Sequence, residues 1–145
     1  QAHKGFIKLH KDGTFERLDV DCVFPILHGP NGEDGTLQGL LKLAGIPFVG
    51  CDHLSSAMSM DKDYTHIVCE AAGITMAPYI CVKNTKDFDY DEAYEKAVNK
   101  LEFPMFIKPA NAGSSYGISK VRSHDEFVEG LKFAFKLLIN SCPFF

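Results

Sequence analysis

At 145 residues, with 46% hydrophobic side chains, the chain is long enough to bury a core without disulfide or metal staples. Its formal net charge of −4 leaves no basic stripe to neutralise a phosphate backbone, which excludes nucleic acid as the main partner and favours small-molecule chemistry. No apolar run approaches the ~20 residues of a membrane span and no basic-then-apolar leader is present, so the expectation is a cytoplasmic protein that spans no membrane.

Cys22, Cys51, Cys69, Cys81 and Cys142 are odd in number and widely spaced, which argues for reduced thiols rather than a disulfide framework or zinc knuckle. Gln1 stands where an initiator Met is usual, and Ser141 to Phe145 form an aromatic, uncharged tail. Both ends therefore look cut, and an incomplete fold is expected.

In chain order, Gly5 to Leu9 and Thr14 to Leu18 flank Lys11-Asp12-Gly13, a hairpin signal. Asp21 to Leu27 is nearly all apolar, as expected of a strand covered on both faces of a parallel sheet. Leu37, Leu40, Leu41 and Ala44 follow helical spacing, and Gly45 with Pro47 stops that helix. Phe48-Val49 reads as a short strand. Asp52 and Ser55 cap a helical turn through Met58, and Asp61 or Lys62 opens a helix to Ala72 that Gly73 terminates. Strand character at Tyr79 to Val82 is followed by a helix from Asp91 to Leu101. Strands at Met105 to Lys108 and Ile118 to Val121 then precede an amphipathic helix from Asp125 to Leu137. This alternation predicts an α/β fold with a parallel sheet and flanking helices, changing to a second unit near Tyr79 to Asn84.

Two segments carry more chemistry than turns require. The loop His28-Gly29-Pro30-Asn31-Gly32-Glu33-Asp34-Gly35 joins a predicted strand to a helix N-terminus, the position at which open α/β sheets bind ligands. Asp34 as a helix cap and the glycines as turn residues account for part of it; His28 and Glu33 can instead hold the ammonium or carboxylate of an amino acid. In the second segment, Phe106-Ile107-Lys108-Pro109 delivers a lysine to Ala110 through Gly117, a loop whose N–H groups and hydroxyls suit phosphate oxygens before the next strand. The lysine precedes the glycines and no helix follows, so this is not a Walker A loop. A flexible hairpin with a surface lysine fits the same residues, as a solvated helix-start lysine fits Lys62. His3, His10, His53, His66 and His124 have no ligand-like spacing and are read as surface or satisfied side chains.

Taken together, His28 to Gly39 (HGPNGEDGTLQG), Gly45 to Gly50 (GIPFVG), Ser56 to Lys62 (SAMSMDK) and Ile107 to Gly117 (IKPANAGSSYG) resemble, in order and spacing, the signatures of the D-alanine:D-alanine ligases. The similarity covers about Lys4 to Phe135. Asn31 to Gly35 and Gly50-Cys51-Asp52 are similar to the subgroup that makes D-alanyl-D-serine in vancomycin resistance. The resemblance implies residues 1–78 as the later part of a preATP-grasp domain and 79–145 as the start of an ATP-grasp domain. It implies ATP-dependent phosphorylation of the first D-alanine, attack by a second D-alanine or D-serine, Mg²⁺ as the metal, a role in peptidoglycan synthesis and a homodimer for the full-length family.

By motif match, Lys62, Lys108, Gly113, Ser114 and Ser115 fall at nucleotide-binding positions. His28, Glu33 and Ser114 fall beside the substrate, with His28 and Ser114 as the catalytic positions. The resemblance also implies parts that this sequence lacks: an earlier glycine-rich strand and loop, a glutamate-rich adenine hinge, Asp/Glu and Asn ligands for Mg²⁺, and an arginine near the transferred phosphate. Lys136 to Phe145 departs from the strand expected there. An isolated chain of this composition is expected to be inactive. Rival readings are an ATP-grasp ligase for another carboxylate, against which His28 to Gly39 argues, and a non-catalytic module that kept the fold.

Overall fold

The computed structural model describes residues 5–137 and 143–144. By packing, the chain forms two compact units, the first ending at Ala57 and the second beginning at Met58. His3, Cys142 and most of the aromatic tail lie outside the described residues.

In the first unit, β1 (Gly5–Leu9) and β2 (Phe15–Asp19) pair antiparallel, with Leu9 opposite Phe15. The predicted Asp-Gly turn closes them: Asp12 Oδ1 accepts from the Thr14 N–H at 3.0 Å and from its hydroxyl at 2.7 Å. The expected strand over Asp21 to Leu27 does not form. It reduces to one parallel bridge between Val23 and Phe48, held by Val23 N–H to Pro47 O and Val49 N–H to Val23 O, each 2.9 Å. Pro25 has no N–H to extend the ladder, and no other described segment pairs with this one. Phe24 and Ile26 consequently stand 70% and 72% exposed rather than covered on both faces. Helix α1 (Thr36–Leu43) forms where the spacing predicts and buries Leu41, with Ile46 behind it. Helix α2 (His53–Met60) starts where Asp52 Oδ1 takes the Ser55 N–H at 2.8 Å.

The second unit begins with the end of α2 and with α3 (Lys62–Ala71), capped by Asp61 and stopped at Gly73. Tyr79 to Val82, read as a strand, is instead an extended segment without a regular ladder among the described residues; Ile80 and Val82 still pack on the core. Helix α4 (Tyr90–Val98) is capped by Asp89, which accepts the Asp91 and Glu92 N–H groups. Strands β3 (Met105–Pro109) and β4 (Ser119–Val121) pair antiparallel, and α5 (His124–Leu137) packs across both. A two-residue strand, β5 (Pro143–Phe144), lies antiparallel on the other side of β3, where no strand was expected.

Alternation along β3 sends Met105, Ile107 and Pro109 inward and leaves Phe106 and Lys108 on the opposite face. Ile107, Phe127 and Leu131 are fully buried at the centre of the core, with Ala97, Val121 and Ala134 around them. Ile107→Ala is expected to lower stability by about 3 kcal/mol in urea unfolding followed by core amide exchange. Leu43→Ala, at a side chain 89% exposed, should stay within about 0.5 kcal/mol.

A surface tie joins α4 to α5: His124 Nε2 lies 2.8 Å from Asp91 Oδ1. The Asp91 bond, assisted by Asp125, raises the imidazole pKa above its ordinary 6.5. The linked stability is therefore fully present below pH 6.5 and is lost as the pH rises through the raised value. Proton NMR of the His124 ring should show this elevated midpoint, and Asp91→Asn should bring it down.

Candidate functional site

In the first unit the loop His28 to Gly35 is shaped by its own polar groups. Gly32 and Glu33 N–H both reach Gly29 O, at 3.2 and 3.0 Å, and one Glu33 oxygen accepts the Gly29 N–H. The other Glu33 oxygen is 3.9 Å from His28 Nδ1. The two residues singled out in the sequence are thus neighbours, but His28 projects into solvent and an exposed pair of this kind contributes little binding energy by itself. Gly35 adopts φ 88°, and a Cβ there would lie 2.3 Å from His53 O, so only glycine fits. The cap position of α1 falls to Gly35 rather than to Asp34, which stands one residue earlier and braces the turn, taking Asn31 N–H at 2.8 Å and Thr36 N–H at 3.0 Å.

Partial burial pushes the Asp34 carboxyl pKa up, but the N–H donors of Asn31 and Thr36 outweigh it and hold the group below its ordinary value. The associated stability is present above pH 3.8 and is lost as the pH falls through the lowered value. Amide exchange at Asn31 and Thr36 is expected to accelerate only in that acid range. In Asp34→Asn the acid-range acceleration should disappear; its persistence would assign the effect to another group.

In the second unit, Lys62 and the loop after β3 come together. The Lys62 ammonium donates to three carbonyls, Pro109 O at 3.1 Å, Ala110 O at 3.2 Å and Ala112 O at 2.6 Å, and its backbone N–H reaches Ala110 O at 3.1 Å. Burial first, then the charge of nearby Lys108, holds the Lys62 pKa below that of an ordinary lysine, against the pull of Asp61. The Lys108 side chain makes no hydrogen bond or ion pair among the described residues, so its ammonium is available to a ligand.

Beyond Ala112 the loop turns outward. Ser114 and Ser115 both adopt left-handed φ, 50° and 59°, uncommon for residues with a Cβ. The N–H groups of Gly113, Ser114 and Ser115 are exposed and make no hydrogen bond among the described residues. Gly117 closes the loop at φ 76°, where a Cβ would lie 2.7 Å from Pro109 Cγ and 2.5 Å from Leu137 Cδ1.

Beside Lys108 opens a cavity of about 490 Å³ whose walls include His66, Tyr79, Lys100, Pro104 and Phe106. Its volume lies in the range of small-molecule sites. The Tyr79 and His66 rings are 4.3 Å apart, Lys100 Nζ lies 5.6 Å from the Tyr79 ring, and Lys120 Nζ lies 5.5 Å from that of Phe106. Flat apolar walls edged by ammonium groups suit an aromatic ring with an anionic appendage. The sequence reading missed Phe106, Tyr79 and Lys100 and assigned His66 no role. Only the period-two pattern of β3, which puts Phe106 on the face of Lys108, offered a signal. Among the described residues, no three His, Cys, Asp or Glu side chains gather as a metal site.

Two family models match in the same order as these elements, that of the D-ala D-ala ligase N-terminus over residues 2–51 and that of the D-ala D-ala ligase C-terminus over residues 68–138. The chain belongs to the D-alanine:D-alanine ligase family. It is 49% identical over 116 residues to the D-alanine–D-alanine ligase of Acetivibrio thermocellus, covering 79% of this chain and 31% of that protein. To that of Caldicellulosiruptor bescii it is 44% identical, covering 97% of this chain and 40% of the relative. Among solved structures, the VanG D-Ala:D-Ser ligase from Enterococcus faecalis matches with TM-score 0.77 and 45% identity over 89% of this chain and 36% of that one. The D-alanine-D-alanine ligase from Coxiella burnetii matches with TM-score 0.79 and 31% identity, over 97% and 40%. The chain thus spans about a third to two fifths of the length of these relatives. Lys62 falls between the two matched stretches, at the first residue of α3.

Proposed function

We infer that the chain contributes nucleotide-holding and substrate-facing elements to an ATP-dependent ligase that joins D-alanine to D-alanine or D-serine for peptidoglycan. In that reaction the γ-phosphoryl group of ATP passes to the first D-alanine carboxylate, giving ADP and an acyl phosphate. The amine of the second amino acid then attacks the carbonyl, releasing phosphate and a proton and leaving the dipeptide. Residues 1–78 are read as preATP-grasp and 79–145 as the start of the ATP-grasp domain.

The observation that carries this reading is an aromatic-walled cavity that Phe106 and an unpaired Lys108 of β3 line, followed directly in the chain by a loop whose Gly113 to Ser115 N–H groups are free, in a chain of this family. Lys108 supplies charge to a phosphate, the loop N–H groups supply hydrogen bonds, and the cavity takes the flat base. His28 and Glu33 present an imidazole and a carboxylate to the amino acid, and the Ser114 hydroxyl, exposed at the loop tip, reaches toward phosphate or substrate. The family's Mg²⁺ would supply charge to the transferred phosphate, but no three His, Cys, Asp or Glu side chains gather to hold it among the described residues, and no step is assigned to it here. A cytoplasmic location and a homodimer are proposed from the family alone.

Positioning catalysis needs every wall of a site, so the isolated chain is expected to bind ATP only at millimolar concentration and to release no phosphate with D-alanine and Mg²⁺. Titration of labelled chain with ATP should move the amides of Lys108 and Gly113 to Ser115 in fast exchange, and Lys108→Ala should weaken that response by about tenfold. Shifts confined to other residues, or none at several millimolar, would end the reading.

A further inference from the structure

Asn31 is the chain's one asparagine followed by glycine, and its side chain is exposed in the loop between His28 and Gly35. A glycine nitrogen, with no Cβ beside it, meets the least steric resistance in attacking the preceding side-chain amide. That attack forms a bond from Gly32 N to Asn31 Cγ and breaks the Cγ–Nδ2 bond. The Gly32 N–H proton passes through water to the departing Nδ2, which leaves as ammonia. Water then opens the cyclic imide at either carbonyl, giving aspartate or isoaspartate.

The folded loop opposes the first of these steps. The five-membered ring closes only when Gly32 N and Asn31 Cβ lie on the same side of the Asn31 Cα–C bond. Asn31 instead adopts φ 68°, inside the left-handed region, where sterics hold ψ at about +30° to +60°. Gly32 N then lies on the far side of that bond from Cβ, and ring closure needs nearly half a turn of the Asn31–Gly32 peptide plane. That plane is pinned at both ends: Asn31 O accepts the Leu37 N–H at 3.2 Å, and the Gly32 N–H donates to Gly29 O at 3.2 Å. On either side of it, Asp34 Oδ2 holds the Asn31 N–H at 2.8 Å and Gln38 Nε2 donates to Gly32 O at 3.2 Å. Gly32 is buried, and a Cβ added there would lie 2.6 Å from Leu27 Cβ, which leaves the plane little room to turn.

We propose that Asn31-Gly32 is a latent deamidation site, held shut in the folded chain by the pinned peptide plane and by Asp34, and released when those bonds open. Either product adds a carboxylate close to Glu33 and Asp34. The isoaspartate also reroutes the main chain through Cβ, inside the turn that Gly29 O makes with the Gly32 and Glu33 N–H groups. That turn sets His28 and Glu33 3.9 Å apart, so the modification separates the two. None of this depends on what the loop binds.

The test incubates the 145-residue chain at mildly alkaline pH, folded and in guanidinium, and follows the Asn31 peptide by mass and retention time. Asn84, Asn99 and Asn111, which precede Thr, Lys and Ala, serve as slow internal references. Deamidation at Asn31 should be at least about tenfold slower in the folded chain than in the denatured one, the scale of opening two hydrogen bonds. Asp34→Ala should raise the folded rate by about fivefold while the Leu41 amide stays protected. Equal folded and denatured rates would overturn the lock, and a denatured Asn31 no faster than the references would overturn the site. An unchanged folded rate in Asp34→Ala, with Leu41 protected, would overturn the part given to Asp34. If that variant loses Leu41 protection, the wild-type comparison and Gln38→Leu, which removes the Gly32 O bond and should also raise the folded rate, decide between these outcomes.

Discussion

The alternation of β3 is the constraint on which the second unit depends. Met105, Ile107 and Pro109 must face the core because α5 brings Phe127, Leu131 and Ala134 against them, and a period of two then forces Phe106 and Lys108 onto the other face. A slip of one residue would bury the ammonium and expose the isoleucine, a change disfavoured on both counts by several kcal/mol. Core packing, rather than any contact within the cavity, therefore places the free cation and its aromatic neighbour. A group carried on such a strand is held more rigidly than one on a loop.

The loop that follows β3 works by the opposite principle. Its middle is exposed and left-handed, and its N–H groups are unmade bonds that water must satisfy. Two contacts tie its ends, and they differ in kind. Gly117 is a steric one, with no room for a Cβ against Pro109 and Leu137. Lys62 is electrostatic: partial desolvation of its charge costs free energy, which three carbonyl acceptors offset.

Local chemistry was legible in the sequence and tertiary chemistry was not. Asp52 and Asp61 announce helix starts, and Gly45 and Gly73 announce stops, because caps and left-handed turns involve only near neighbours. Asp21 to Leu27 misleads because an apolar run reports what a segment would gain from cover, whereas cover itself comes from elsewhere; Phe24 and Ile26 have none among the described residues. Motif order identified Lys62 as important, but its partners lie 47 to 50 residues away, beyond any spacing argument. His66, Tyr79, Lys100 and Phe106 likewise meet only in the folded chain, around one cavity, and no pattern in the sequence joins them.

The first unit shows what happens when such cover is thin. Leu41 and Ile46 are its buried hydrophobic side chains among the described residues, while Phe24, Ile26 and Leu43 stand in solvent. The shape of the His28–Gly35 loop then rests on polar bonds of its own making: Glu33 to Gly29, Asp34 to Asn31 and Thr36, and the buried Gln38 amide to Gly32 O at 3.2 Å. Each contributes about 1 kcal/mol net, and the Gln38 Oε1, buried without a partner among the described residues, subtracts from the sum. It follows that Glu33 has one oxygen, not two, to turn to a ligand's ammonium. That oxygen must be the one near His28, since the other braces the loop that keeps both residues side by side.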